Sequence, residues 1–233
     1  MKTKLIPLIV TVLAIPASQA ATTFNFDNIR FNQNGSVQGA GNSFTHDSND
    51  LAASGLADSV TATYTLTSDF DADGIDDTLT FELTATAVAP DGAQVSVNTA
   101  GVAGIAGPGS NFLFAAGQGA NYTFSIGSLV ASSGGDFEAT FDGFTGGGIG
   151  SLTLADPADP TSVDDSFNVN GVLLSSGTFE LASPSDEVLF NGVTGDVFVS
   201  GLDFDITVEA VPEPSSTALL GLGALGFLAR RRR

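Results

Sequence analysis

The segment "SGLDFDITVEA" near the C-terminus alternates without a break. Leu202, Phe204, Ile206 and Val208 fall on one side of an extended chain, and Asp203, Asp205, Thr207 and Glu209 fall on the other. Successive side chains of a strand point to opposite faces, so this period of two predicts a strand with one face on a core and one in water. "TATYTLTS" sets Thr61, Thr63, Thr65 and Thr67 against Ala62, Tyr64 and Leu66. "TLTFELTA" sets Thr78, Thr80, Glu82 and Thr84 against Leu79, Phe81 and Leu83. Tyr122, Phe124 and Ile126, and then Phe137, Ala139 and Phe141, continue the pattern. Between residues 21 and 210 no comparable segment repeats apolar residues at the i, i+3, i+4 spacing of an amphipathic helix.

Turn-forming stretches separate the runs: "PDG", "GPGSN", "SSGGD", "TGGGIG", "DPADP" and "FNGVTGD". About ten to twelve short strands, each with one apolar face, predict an all-β fold, a single jelly-roll-like β-sandwich over residues 21–210. The phenylalanines read as its core filling. The glycine-rich stretch "AGVAGIAGPGSN", residues 100–111, is expected to be a long loop, or else a linker between two half-domains. One domain is the expectation, because neither half clearly carries enough strands alone. No repeat of about 20 to 50 residues points to a solenoid or a propeller.

The two ends break the alternation. Residues 1–20 carry Lys2 and Lys4, an apolar run from Leu5 to Ile15, and small residues before Ala21. Ser18 and Ala20 stand at the −3 and −1 positions of a cut between Ala20 and Ala21, the pattern of a secretory signal peptide. The run is short for a retained anchor and Pro16 interrupts it. At the other end an apolar stretch covers 215–229 and would form a short transmembrane helix of about 22 Å. That is marginal against a hydrocarbon core of about 30 Å. Arg230, Arg231, Arg232 and Arg233 follow it and would stop on the cytoplasmic side, leaving the body outside.

Charge sharpens the picture. The 233 residues carry a formal net charge of −19, and every acidic residue except Glu213 lies between 21 and 210, where Arg30 is the only cation. Such a polyanion repels nucleic acid and anionic lipid headgroups, so nucleic acid is not an expected partner. Hydrophobic residues at 42% separate the chain from disordered polyanions. The chain has no cysteine, which excludes disulfides, thiol catalysis and zinc–thiolate sites.

The C-terminal order is Val211, Pro212, Glu213, Pro214 and Ser215, then the glycine- and leucine-rich apolar segment, then the arginine cluster. Over residues 211–233 this resembles the PEP-CTERM sorting tail of certain Gram-negative bacteria. The resemblance implies export by the secretion machinery, transient residence in the inner membrane, and recognition by an exosortase at Pro212–Glu213–Pro214. It also implies passage of the body to the cell surface or exopolysaccharide matrix of a biofilm. It leaves the activity of the body open.

One internal motif carries chemistry. "DFDADGIDD" spaces Asp69, Asp71 and Asp73 at positions 1, 3 and 5 of a cation loop, with Gly74 at 6, the Ile75 carbonyl at 7 and Asp77 at 9. Converging carboxylates and a carbonyl at this spacing suit a hard oxygen-seeking cation, and calcium is the expected cofactor, in a structural role. The stretch resembles the calcium loops of dockerins, thrombospondin type 3 repeats and integrin-type propeller blades. It departs from the EF-hand: position 12 is Thr80, with Glu82 nearby, and the flanks read as strands. The loop is therefore expected to cap a β-hairpin, with affinity in the range of about 10⁻⁴ to 10⁻³ M. An acidic turn without an ion is the alternative.

Other candidates are thinner. His46, the only histidine, sits beside Asp47 and Asp50 in a polar stretch and reads as a solvated loop residue. Asp156, Asp159, Asp164 and Asp165 are irregularly spaced among prolines and read the same way. The threonines at 61, 63, 65 and 67 would make a flat hydroxylated strip of the ordinary solvent-facing kind. Three functional readings remain: a non-enzymatic structural or adhesive surface protein, a calcium-dependent exopolysaccharide-binding module, and a secreted hydrolase working through His46 or a pair of carboxylates. The first is the expectation, because no catalytic motif is present.

Overall fold

The computed structural model of the chain describes residues 21–31, 35–36, 43–49, 56–70, 74–88, 92, 94–97, 103–106, 117–132, 136–150, 166–174, 177–194 and 198–211. The segments read as signal peptide (1–20) and sorting helix (215–229) lie outside them, and the flanking Ala21 and Val211 are both exposed. Among the described residues the chain is all-β, with strands joined by turns and no helix. The strands are β1 (Thr22–Ile29), β2 (Gly35–Ser36), β3 (Ser43–Asn49), β4 (Ser59–Ser68), β5 (Asp77–Val88), β6 (Gln94–Val97) and β7 (Ala103–Ala106). They continue as β8 (Gly119–Val130), β9 (Phe137–Gly150), β10 (Ser166–Val169), β11 (Val172–Leu173), β12 (Thr178–Ser185), β13 (Glu187–Thr194) and β14 (Phe198–Ala210).

Two antiparallel sheets result. The six-stranded sheet runs β12-β9-β14-β7-β6, with β1 also paired to β14. The eight-stranded sheet runs β11-β10-β13-β8-β5-β4-β3-β2. The expectation of an all-β sandwich is met, with chain crossings between sheets after β1, β5, β7, β8, β9, β11, β12 and β13. Segments on both sides of residues 100–111 contribute to both sheets.

The alternation governs burial as expected. In β4 every second residue from Val60 to Leu66 is fully buried, and in β14 Leu202, Phe204, Ile206 and Val208 are. Phenylalanine rings knit the sheets together. Phe204 stacks on Phe26 of β1 at 4.7 Å and meets Phe81 and Phe124 of the opposite sheet at 5.8 and 5.3 Å. Phe124 stacks on Phe141 at 4.1 Å and Tyr64 on Phe81 at 5.1 Å. Aromatic pairs of this geometry contribute about 0.5–1.5 kcal/mol each beyond the area they bury.

The glycine-rich segments depart from expectation. Strand β7 lies inside the 100–111 stretch read as a loop, paired with β6 and with Val199 of β14. "TGGGIG" and the described part of "FNGVTGD", residues 190–194, both read as turns, continue strands β9 and β13. The reason in β9 is space. A Cβ on Gly146 would come within 2.6 Å of the Phe179 carbonyl oxygen, and one on Gly147 within 2.5 Å of that of Gly201. These glycines mark close approach of neighbouring strands, and turn signals cannot be told from it locally.

Candidate functional site

The Asp-rich stretch joins β4 to β5, so it caps a β-hairpin. Gly74 has φ +88°, the left-handed region that glycine enters at little cost, and its N–H donates to Asp69 Oδ2 at 2.8 Å. Asp77 points the other way. It is 1% exposed, its Oδ2 accepts the Phe70 N–H at 2.9 Å, and its Oδ1 accepts the Ser132 N–H and hydroxyl at 2.8 and 2.9 Å. Three donors satisfy a buried carboxylate that would otherwise be costly. Asp77 therefore ties its own loop to the segment after β8. Ile75 and Asp76 are exposed, while Asp71 and Asp73 lie outside the described residues. Among the described residues no group of three or more His, Asp or Glu is placed to hold a metal. A cation here would draw on Asp69, Asp71, Asp73 and the Ile75 carbonyl, with Asp77 engaged in the frame.

The rest of this end of the sandwich is built by register. Thr22 pairs with Val208, Phe137 with Ala210 and Thr78 with Val130. The beginnings of β1, β5 and β9 and the ends of β4, β8 and β14 therefore share one pole. Phe70 seals it with edge contacts to Phe24 at 5.6 Å and Phe137 at 6.1 Å. The Val211 N–H donates to the Asp136 carbonyl at 2.7 Å, so the chain is still held one residue past β14.

A second feature was not legible in the sequence. Glu180 of β12 and Asp203 of β14 both pair with Gly146 of β9, so the two acids stand on one rung with a glycine between them. Paired residues on adjacent strands share a face, so the rung presents both on the solvent side of the six-stranded sheet. Asp203 leans over β9, its Oδ2 3.3 Å from where a Gly146 Cβ would be. Beside the rung lies a cleft of about 420 Å³ lined by Asn28, Ser200, Thr178, Phe179, Glu180, Asp203 and glycines 147, 148 and 177. Asn28, at φ 54° in a bulge of β1, donates its N–H to Asp203 Oδ1 at 2.6 Å. Burial raises the Asp203 pKa above the usual carboxylate value, the charges of Asp27 and Asp205 add to this, and the Asn28 N–H opposes it. The result is an open cleft of mixed polarity, lined in part by glycines, with a carboxyl group that holds its proton more tightly than usual.

The remaining candidates resolve simply. His46 is in strand β3, half-buried edge-on to the Tyr64 ring at 5.5 Å, and not in a solvated loop. It alternates in phase with Phe44, which the polar neighbours concealed. Burial lowers its pKa, against the opposing charge of Asp47. The β4 threonines pair with Thr84, Glu82, Thr80 and Thr78, and spend hydroxyls on neighbours, as in Thr61 to Thr84 at 2.9 Å and Thr65 to Asp47 at 2.6 Å. Asp156, Asp159, Asp164 and Asp165 lie outside the described residues.

The family model of the PEP-CTERM protein-sorting motif matches residues 210–233. Neither a curated protein nor a solved structure matches the chain.

Proposed function

From a chain that carries a PEP-CTERM protein-sorting motif, exported and processed by an exosortase after a membrane-anchored step, we propose a non-catalytic surface or matrix protein with a structural or adhesive body. The observation that carries this reading is the matched motif beginning at Ala210, the last residue of the last strand. The body is delivered to the cell surface or to the exopolysaccharide matrix once the tail is removed. Replacing Pro212, Glu213 and Pro214 by alanine in the producing cell tests it. The full-length chain should accumulate in the membrane fraction, and unchanged release would overturn the reading.

Calcium bracing of the β4–β5 hairpin is part of this proposal. Support comes from the left-handed Gly74, the Asp69 acceptor beside it and the spacing of the aspartates. At about 1 mM calcium and a dissociation constant of about 10⁻⁴ M, one site adds about 1.4 kcal/mol. Melting residues 21–233 with calcium and with chelator, beside Asp71→Ala, tests it. A rise of several degrees with calcium that the variant lacks is expected; equal melts would sink the idea.

The cleft favours a second reading of the body, as a module that binds a hydroxyl-rich glycan. Asp203, Glu180, Asn28, Ser200 and Thr178 supply donors and acceptors. Retention on exopolysaccharide should weaken in Asp203→Asn and Glu180→Gln, and undiminished retention in both would dismiss the cleft.

A further inference from the structure

The sorting tail leaves the folded body with almost no slack. Val211 is hydrogen-bonded to Asp136, and the apolar run opens at Ser215, four residues later. Four extended residues span at most about 14 Å. The headgroup layer on each side of a bilayer takes up about 5–7 Å of that. The gap between body and lipid headgroups is then below about 10 Å, close to one Debye length at physiological ionic strength.

We infer that, while the tail anchors the chain, the pole carrying Ala21, Phe70, Asp76, Ser132, Asp136 and Val211 is held against the lipid surface. The inference rests on reading 215–229 as the membrane anchor. Pairing of Thr22 with Val208 brings the N-terminal junction to the same pole, so a chain still joined to residues 1–20 is held there at both ends. The strands run away from this pole. From Thr78 to Val88 along β5 the distance is about 33 Å, so the opposite pole stands well clear of the lipid.

The charge of the pole gives the contact a direction in time. Asp76, Asp136, Glu138 and Glu209 are all exposed there. Anionic headgroups within a Debye length repel them, and only the covalent tether holds the two together. Once the tail is cut, nothing opposes the repulsion and the body leaves the surface. Raising salt or adding calcium weakens the repulsion and should press the anchored pole closer.

The absence of cysteine makes the test direct. Val130 and Val88 are exposed valines at opposite ends of neighbouring strands β8 and β5. Val130→Cys and Val88→Cys, each in residues 21–233, would carry a fluorophore in vesicles of phosphatidylethanolamine and phosphatidylglycerol with a headgroup nitroxide quencher. Strong quenching at 130 with little at 88 is expected. A glycine-serine spacer of about ten residues after Val211 should lower the signal at 130 toward that at 88. Equal quenching at both positions in a chain that floats with the vesicles would overturn the apposed pole and leave the anchor intact. A chain that does not float would overturn the anchor reading itself, and the apposed pole with it.

Discussion

Tyr64 and Tyr122 face the same core and meet different fates. The Tyr64 hydroxyl donates to the Arg30 carbonyl at 2.5 Å, while that of Tyr122 has no hydrogen-bond partner among the described residues. An unpaired buried hydroxyl costs about 1–3 kcal/mol, so Tyr122→Phe should raise the melting temperature by about 2–4 °C for each kcal/mol recovered. Tyr64→Phe strands the Arg30 carbonyl and should lower stability by about 1–2 kcal/mol. Parallel melts check both, and a fall in Tyr122→Phe would mean the hydroxyl is satisfied. His46 supplies a pH dependence. Its folded pKa lies below the usual 6.5, so the unfolded chain binds the proton more readily. The stability this contributes is present above about pH 6.5 and is lost as pH falls from there through the lower folded value. His46→Phe should flatten the melting temperature between about pH 5 and pH 8, and an unchanged slope would assign the sensitivity elsewhere. The histidine was visible in the sequence, but its burial was not, because a strand in phase with Phe44 looks polar when read residue by residue.

At the scale of elements, Asp77 and Gly201 are the positions where one side chain decides how segments join. Asp77→Asn cannot accept from Phe70 and Ser132 through both of its groups, since one becomes a donor. Stability should fall by about 1–3 kcal/mol, and by the same amount with calcium or chelator if Asp77 acts through the frame. A loss seen only in calcium would make it a ligand. Gly201 faces Asn28, whose Cα and carbonyl carbon lie 2.9 Å from an added Cβ, with the Asn28 Oδ1 closer still. Gly201→Ala should cost about 1–3 kcal/mol and loosen the bulge that holds Asn28 on Asp203. Melting together with glycan retention checks it, and a neutral substitution would show that β1 yields easily. The loss of alternation at "TGGGIG" came from crowding of the same kind, against the carbonyls of Phe179 and Gly201. Glycine signals a turn by its freedom and a strand by its lack of a side chain, and only the neighbours distinguish the two.

At the scale of the whole molecule, the acidic residues between 21 and 210 have Arg30 as their only cation, so the folded state works against its own field. Monovalent salt should therefore raise the melting temperature gradually between about 0.01 and 0.5 M as screening shortens. A saturating rise at millimolar calcium, beyond the effect of equal ionic strength, would separate binding from screening. A melting temperature independent of salt would mean the carboxylates are too dispersed to repel. The same charge fits the proposed release of the body, since a polyanion is repelled by anionic membranes once no tether holds it there.

Cleanly alternating strands such as β4, β5 and β14, their buried faces and the sorting tail are legible along the chain, because alternation and an apolar run are written by neighbouring residues. The sequence also showed the hairpin site of the aspartates and their spacing. Three features arise from the folded arrangement alone: Asp77 turns to Ser132, 55 residues away, Glu180, Gly146 and Asp203 share a rung, and both chain junctions meet at one pole. Those depend on strand register and sheet order, which are set by the long-range match of buried faces and leave no local trace.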